Sequence, residues 1–468
     1  MNVRSRAHRS GLLALLACAL GIPAPADARD RETHGEYLRR LATRVPRSGL
    51  EGRREIVSVA LGGLLPEGTP RDKARVMTLH PARDWEVIPH QFDPRSEDGD
   101  YLFPPEDRTG PFDPLAASDE ILFRAGDTGI RAARTAWPEG VTAGGEIAVR
   151  DPETGAAGWA YLFTFDRPPL GDIRAEVRYS AATATTDETI ETPSYRVSFS
   201  RGRRGRDEGV MNGLWIRTPT AAAAWWRSGR GRSRGPFGPN LLDRVKRRYT
   251  GGLRFLPGRD WRLDESRIRS EPRGVLAGPL RVIRRAREHF PLGLWIDARQ
   301  ETLVAFLPDR IVLHDTDRVP GRVRRNVRAR RERLAWDFAI PKGAMAYGAH
   351  APAGVFVDGR PSFSEYRLGT ESSAWWALAA PGGGAILAIY EGDSPVKPRL
   401  FYRDDAVPDQ PEATAGSSPA IGWRIDDATG RARIHLLVLD RFPPGGERGP
   451  MRAIEKPLDA TVSPGLLR

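Results

Sequence analysis

Short segments in which apolar and polar residues alternate with a period of two recur along most of the chain. The first lie at 54–61 and 74–80, and similar segments continue to 432–442. A period of two places successive side chains on opposite faces of a β-strand, whereas a helix needs a period near 3.6. Many of the 49 glycines and 40 prolines lie between these segments, where they favour turns. The pattern therefore predicts a mainly β protein of stacked sheets, a β-sandwich.

Composition also divides the 468 residues into parts, with two short helices expected in a basic insertion. Residues 218–229 have a Thr-Pro start, an alanine run and a glycine stop, and 240–252 have Asn240 as a cap before an amphipathic pattern. The predicted parts are a signal peptide at 1–28, a polar segment at 29–54, an N-terminal sandwich part at 55–200, the helical insertion at 201–252 and a C-terminal sandwich part at 253–468.

The first 28 residues have the features of an export signal. A basic start is followed by an apolar run at 11–22 and by a small-x-small cleavage site at 26–28. The run is too short to cross a bilayer, and no later segment has the ~18 consecutive apolar residues of a membrane-spanning helix. The sequence predicts a periplasmic or extracellular protein with no transmembrane segment after its leader.

The stretch LLAC at 15–18 supports an alternative leader. It resembles a bacterial lipobox, in which the cysteine is lipidated, and it would make the protein an outer-membrane lipoprotein with a lipid anchor at Cys18. Cys18 is the only cysteine of the chain. In either case we expect no disulfide, so that the core alone must stabilise the fold.

An acidic stretch, HQFDPRSEDGDYLF at 90–103, contains the candidate metal ligands. Asp93, Asp98 and Asp100 offer hard oxygen donors around a bend at Gly99, which is the chemistry that Ca²⁺ prefers. The full spacing of an EF-hand loop is missing, and aspartates are common in glycine-containing turns without any metal. Calcium is the one cofactor that the sequence brings into consideration, and plain turn chemistry is the alternative.

Asp119 and Glu120 precede the apolar residues 121–123 and are the candidate catalytic pair. A carboxylate beside a buried strand can have its pKa raised, which suits general acid–base work on a glycosidic bond or a uronate. The alternative is a structural role, as a cap or in an ion pair with Arg124.

Tryptophans suggest a sugar-binding surface. The chain has 12, including the pairs Trp225-Trp226 and Trp375-Trp376. Aromatic rings exposed in a cleft are candidate ligand-binding groups. In a pair on a strand, one ring faces the core and the other faces outward, so we expect one exposed ring per pair. The first pair, within the insertion, is expected to form either a lid over a cleft or a hydrophobic clasp on the sandwich.

The run RVRRNVRARRER at 322–333 has seven arginines and one glutamate. Such a charge density suits an anionic polysaccharide, and no nucleic-acid-binding motif accompanies it, so nucleic acid is not expected as a partner. The alternative is a strand with one solvated arginine face.

Several of these residues together resemble secreted bacterial β-proteins of the hexose mutarotase-like supersandwich group. The matching positions are Ile88-Pro89, Gln91, Asp93, Asp98-Gly99, Asp119-Glu120-Ile121, Phe123 and Gly278-Pro279-Leu280-Arg281. The resemblance covers about 55–165 and one later strand. It implies a β-supersandwich and a sugar ligand, which adds Arg281 to the candidate binding residues, but it transfers no catalytic residue.

Motifs for nucleotide binding and zinc proteolysis are absent, since the chain has no GxxxxGK[ST], GxGxxG or HExxH. The favoured function is the binding or processing of a polysaccharide at the cell envelope. The alternative is a non-catalytic envelope protein with a structural or assembly role. Whether the protein is an enzyme is left open by the sequence.

Overall fold

The structure is a computed structural model in which residues 46–464 are described, apart from several short segments. The segments left out are 83, 105–113, 134–135, 172, 201–208, 218–236, 239, 254–255, 266, 292–296, 316–326, 340–342, 361, 370–371, 381–383, 393–396, 405–418, 427–431 and 443–444. The leader with Cys18, the helix predicted at 218–229 and the pair Trp225-Trp226 lie outside the described residues.

The described residues form 26 strands and two α-helices. The first thirteen strands are β1 (Ile56–Ala60), β2 (Ala74–His80), β3 (Asp84–Val87), β4 (His90–Asp93), β5 (Glu120–Arg124), β6 (Val141–Arg150), β7 (Ala157–Phe165), β8 (Arg178–Ser180), β9 (Glu188–Glu191), β10 (Tyr195–Phe199), β11 (Met211–Ile216), β12 (Leu242–Leu253) and β13 (Leu256–Leu263). The others are β14 (Arg269–Ala277), β15 (Val282–Pro291), β16 (Asp297–Phe306), β17 (Arg310–Asp315), β18 (Val327–Phe338), β19 (Met345–Gly348), β20 (Ala351–Phe356), β21 (Trp375–Ala379), β22 (Ala385–Gly392), β23 (Arg399–Arg403), β24 (Ala420–Asp426), β25 (Ala432–Leu439) and β26 (Asp459–Pro464). The helices are α1 (Phe363–Leu368) and α2 (Arg448–Glu455).

The prediction of a mainly β fold is confirmed, and the strands belong to two compact units. Pro89–Leu122 and Ile173–Pro457 form the second unit, and the other described residues form the first. Each unit therefore draws on segments that are far apart in the chain, an interleaving that composition alone does not reveal.

The first unit contains a five-stranded antiparallel sheet in the order β26-β6-β7-β2-β3. Two of its central strands, β6 and β7, form a hairpin in which Asp151 accepts a hydrogen bond from the backbone of Glu153, and Gly155 has a φ of 72°. Alternate side chains of β7 pack into an aromatic cluster, where Tyr161 and Phe163 stack with their ring centroids 5.7 Å apart. Period-two patterning thus gives this sheet its buried face.

The second unit contains a nine-stranded sheet in the order β14-β15-β16-β17-β25-β22-β21-β19-β20. It also contains a five-stranded sheet, β13-β12-β18-β24-β23, and a four-stranded sheet, β11-β10-β9-β8. One core draws residues from all three sheets, for example Trp376, Trp336 and Val197. We call the face of the nine-stranded sheet that enters this core its inner face and the opposite face its outer face.

The core of the second unit is built around tryptophans on alternate strand positions. Leu334, Trp336 and Phe338 of β18 are all buried on one face, as the period of two in a strand requires. The ring of Trp336 lies 5.6 Å from that of Trp376 and 6.2 Å from that of Trp423. Burial of such large apolar side chains is the main source of stability expected for a fold without disulfides.

The helix predicted at 240–252 is wrong, because these residues form strand β12. The apolar residues Leu242, Val245 and Tyr249 have helical spacing, but a β-bulge between Leu242 and Arg244 produces the same spacing in a strand. Leu242 pairs with Phe338 and Val245 with Trp336, so both face the core. The predicted cap, Asn240, instead accepts hydrogen bonds from the backbone N–H groups of Leu214 and Leu242.

Neither of the two described helices combines the length and the apolar character that crossing a membrane would need.

Candidate functional site

Four of the residues that resemble the supersandwich group, Gln91, Asp93, Glu120 and Arg281, meet in one buried network in the second unit. Strand β4 supplies Gln91 and Asp93, β5 supplies Glu120, and the turn between β14 and β15 supplies Arg281. Gln91 and Arg281, which are 190 positions apart in the sequence, are therefore within hydrogen-bond distance of each other.

Gln91 connects strand β4 to the turn between β14 and β15. Its Oε1 accepts hydrogen bonds from the backbone N–H groups of Leu280 at 3.0 Å and Arg281 at 2.9 Å, and its Nε2 donates to the carbonyl oxygen of Arg281 at 3.0 Å and to Asp93 Oδ1 at 2.7 Å. A β-carbon at position 278 would lie 2.1 Å from Gln91 Cδ. Only glycine leaves room for this amide, which explains why the motif has both residues.

Arg281 joins two carboxylates in the interior of the network. Its Nε donates to Asp93 Oδ2 at 3.0 Å, and its terminal nitrogen donates to Glu120 Oε2 at 2.9 Å. The three side chains are at most 9% exposed. Since an isolated buried charge is very costly, this mutual pairing is what permits all three groups to be buried.

Arg95 and Tyr101 complete the network from the acidic stretch. Arg95 donates to Glu120 Oε2 at 2.7 Å and to the hydroxyl of Tyr101 at 2.6 Å, and its guanidinium stacks on the Tyr101 ring at 3.8 Å. Burial would raise the pKa of Glu120, but the charges of Arg281 and Arg95 outweigh burial and lower it below 4.5. Burial raises the pKa of Tyr101 to about 12, so its phenol is neutral.

The predicted catalytic pair, Asp119 and Glu120, has its carboxylates engaged in structure. Asp119 Oδ1 accepts from the backbone N–H of Arg95 at 3.1 Å, and Oδ2 accepts from that of Ala116 at 3.1 Å. The pKa of Glu120 is lowered, whereas a general acid needs a raised one. The geometry argues against the acid–base role and favours the structural alternative, although Glu120 pairs with Arg95 and Arg281 rather than with Arg124.

The predicted metal ligands do not form one site. Asp93 is buried against Gln91 and Arg281, whereas Asp98 and Asp100 are exposed at the turn. Gly99, with a φ of 82°, bends this turn, and its N–H donates to the carbonyl oxygen of Ser96. Asp93, Asp98 and Asp100 are therefore a structural residue and two turn residues, which corrects the calcium hypothesis for this stretch.

The expectation of one exposed ring in the pair Trp375-Trp376 is also wrong. Trp375 is 7% exposed and packs with Phe442, while Trp376 is fully buried on the inner face. Both faces of the sheet are covered at this strand, so neither ring is free to stack on a sugar.

The arginine-rich run is described from residue 327 onward, where it forms part of β18. Arg333 is half-buried with its guanidinium 4.5 Å from the Phe401 ring centroid, and Glu332 is buried. Phe401 belongs to strand β23, two strands away from β18 in the same sheet, and its ring covers Arg333. Arg333 is therefore not part of a solvated arginine face, which was one expectation for this run.

The outer face of the nine-stranded sheet carries a row of four polar residues and one leucine that sequence reasoning missed. Arg285, Leu303, His314, Arg433 and Glu391 are register partners in turn across β15, β16, β17, β25 and β22. Register partners in antiparallel strands point to the same face. We call these five residues the polar row. At about 4.8 Å between strands, it extends over about 19 Å.

His435 lies one step along from the polar row, diagonal to His314 and on the same face. Its Nε2 is 3.1 Å from Glu391 Oε2, and its Nδ1 is buried with no hydrogen-bond partner in the described part of the chain. Arg433 is 3.9 Å from the same carboxylate oxygen and is 58% exposed. Glu391 therefore orients a histidine and an arginine that solvent can reach.

His314, in the middle of the polar row, is neutral. It forms no hydrogen bond to any other described residue. Burial first, and then the positive charges of Arg433, His435, Arg281 and Arg95, lower its pKa to about 4.

Apolar side chains cover the outer face on both sides of the two histidines. Phe103 packs on Leu276, Ile283, Ala305 and Val312 at the β14 side. Phe442, Met451 and Ile454 pack on the strands at the β21 side. The part of the polar row from His314 to Glu391 lies between these two coverings. We call this part, together with His435, the strip.

Neither models of known protein families nor curated proteins give a match to this chain. Among solved structures, an alpha-mannosidase from Enterococcus faecalis V583 is 10% identical with a TM-score of 0.45. The matched region covers 89% of this chain and 45% of the mannosidase chain. A glycosyl hydrolase family 38 protein from Enterococcus faecalis is 9% identical with a TM-score of 0.43, at 89% and 47% coverage. The heparan sulfate lyase HepC from Pedobacter heparinus is 9% identical with a TM-score of 0.26, at 59% and 38% coverage.

This chain thus spans less than half the length of each of these three proteins. At these TM-scores, the similarities carry no argument about activity or substrate.

Proposed function

We propose that the protein binds an anionic glycan along the polar row. The observation that carries the proposal is the position of His314, in register with the exposed Arg433 and diagonal to His435, with no hydrogen-bond partner among the described residues. Neutral imidazole donates to hydroxyl or carboxylate oxygens, and an exposed arginine binds carboxylates and sulfates. A ligand with both hydroxyl and acidic groups matches this set of side chains.

The length and the charge of the strip favour a polymer over a single sugar. The part of the row between the apolar coverings, from His314 to Glu391, spans about 10 Å, which is longer than one ring, and its ionisable members are one histidine, one arginine and one carboxylate. An anionic ligand would also offset the neighbouring positive charges that, after burial, lower the pKa of His314.

Binding of defined polysaccharides to the full chain tests this proposal. We expect alginate and polygalacturonate, whose sugars carry carboxylates, to bind more tightly than neutral dextran, and Arg433→Gln to weaken that binding at least fivefold. Arg131→Gln is the matched control, because Arg131 is 68% exposed and pairs with one glutamate, but lies in the first unit. Equal binding of dextran, or an equal loss in both variants, would contradict the proposal.

The hydrogen bond from His435 to Glu391 supports a second candidate, the acid–base processing of the same glycan. Two imidazoles that burial keeps neutral, one of them hydrogen-bonded to a carboxylate, are an arrangement that can accept a proton from a bound sugar. Release of new chain ends from the bound polysaccharide, with loss in His314→Gln and His435→Gln, would establish it. Binding of the polysaccharide without release of new chain ends would contradict the processing role and support binding alone.

The predicted export signal at 1–28 would place the protein where such polysaccharides are found. We infer a periplasmic or extracellular location, with lipid anchoring at Cys18 as the alternative. The mass of the mature N-terminus distinguishes cleavage after Ala28 from lipidation of Cys18.

A further inference from the structure

Three carboxylates from separate elements of the second unit converge away from the polar row. Asp358 follows β20, Glu365 lies in α1, and Asp404 follows β23. One oxygen from each lies within 4.8 Å of an oxygen of the other two. No arginine, lysine or histidine in the described part of the chain forms an ion pair with any of them.

Backbone N–H groups hold each carboxylate in place. Asp404 Oδ2 accepts from the N–H groups of Asp358 and Gly359, both at 3.1 Å. Glu365 Oε2 accepts from that of Ser362 at 3.2 Å in the capping box of α1, and Asp358 Oδ1 accepts from that of Arg360 at 2.9 Å. The cluster is therefore fixed by local structure, and no cation among the described residues is paired with it.

Two buried oxygen atoms at the cluster have no partner. Asp404 is 1% exposed, and its Oδ1 has no hydrogen bond in the described structure. Tyr402 is 8% exposed, and its hydroxyl also has none. Tyr402 lies at the end of β23 two positions before Asp404, so that the two side chains point to the same side of the strand. Unsatisfied buried oxygens are costly, and the described residues supply these two atoms with no positively charged or donating partner.

We propose that Asp358, Glu365 and Asp404 bind a divalent cation of the calcium type, with the Tyr402 hydroxyl beside it. Every group offered is an oxygen, which selects hard cations over zinc or copper. Ca²⁺ accepts six to eight oxygens in flexible geometry, with water supplying those that a protein does not, whereas Mg²⁺ demands a regular octahedron. Binding would connect α1 and the residues after β20 to the end of β23.

Metal binding by the EDTA-treated full chain tests the proposal, with terbium luminescence, calcium competition and thermal unfolding as readouts. We expect terbium emission excited through the nearby aromatic ring, displacement of terbium by calcium, and an unfolding temperature raised by a few degrees in millimolar calcium. Asp404→Asn should weaken binding at least tenfold. Asp98→Asn, which changes an exposed turn carboxylate, is the matched control and should bind as the wild type does.

Asp358→Asn provides a second variant if Asp404→Asn does not fold, because Asp358 is exposed. It should fold normally and lose most of the calcium-induced stabilisation. A wild type that neither binds terbium nor is stabilised by calcium would overturn the proposal and leave a proton shared between Glu365 and Asp404 as the neutralising partner. Binding retained in both variants, or lost equally in Asp98→Asn, would also overturn it.

Discussion

The side-chain amide of Gln91 occupies the space that a β-carbon on Gly278 would need. Such a carbon would lie 2.1 Å from Gln91 Cδ and 2.2 Å from its Oε1. We expect Gly278→Ala to displace this amide from the two backbone N–H groups that it accepts from. The cost should be about 1–3 kcal/mol of unfolding free energy, the usual range for overpacking, measured by urea denaturation.

Gly449→Ala is the control for this substitution. A β-carbon at Gly449 would meet no atom within 4 Å, and this glycine lies in helix α2. Alanine is favoured over glycine in helices by ~0.5–1 kcal/mol, so the control should be neutral or stabilising. Equal destabilisation by both substitutions would contradict the role given to Gly278.

Glu120→Gln should destabilise the protein near neutral pH by about 3 kcal/mol, because it removes a buried charge that pairs with Arg281 and Arg95. Burial raises the pKa of Glu120, but the two arginines lower it below 4.5 overall. A lowered pKa in the folded state contributes stability above the unfolded-state value, and this contribution is lost as the pH falls through the folded-state value.

The difference in unfolding free energy between wild type and Glu120→Gln should therefore shrink as the pH falls below 4.5. Urea denaturation of both proteins over a pH series measures it. A difference that stays constant down to the acid limit of folding would contradict the assignment of Glu120 to an ionised buried network.

The sequence could predict the strands and the importance of the motif residues, but not what the motif does. Period two identified β2, β7 and β18 because each buries one or both faces. The same rule failed at 240–252, where a bulge gives strand β12 helical spacing. It also failed at the Trp375-Trp376 pair, since the covering of the outer face by Phe442 comes from a later part of the chain.

Both newly identified sites depend on register or on distant segments meeting. His314, Arg433 and Glu391 lie on three different strands, and only pairing brings them into one row. The backbone N–H of Asp358 donates a hydrogen bond to the carboxylate of Asp404, which is 46 positions away in the sequence. Neither arrangement leaves a local motif, because period-two patterning specifies which face a residue takes and not which strand lies beside it.

Trp376→Ala should destabilise the protein by about 3–5 kcal/mol, since Trp376 is fully buried and packs on Trp336 and Trp423. Thermal or urea unfolding measures this loss. Phe356→Ala removes another large aromatic ring, but Phe356 is 64% exposed, so its cost should stay below about 1 kcal/mol. Wild-type stability in Trp376→Ala would show that the three sheets do not share the core described above.

His314 should make the protein less stable as the medium becomes mildly acidic. Burial and neighbouring cations lower its pKa from 6.5 to about 4 in the folded state. The unfolded chain therefore takes up the proton first, and stability is lost as the pH falls from 6.5 towards 4, by at most about 3 kcal/mol. His314→Gln should lack this part of the loss, whereas His350→Gln, at an exposed turn, should retain it. Imidazole NMR titration checks the cause directly, and a His314 signal that titrates near 6.5 in the folded protein would contradict it.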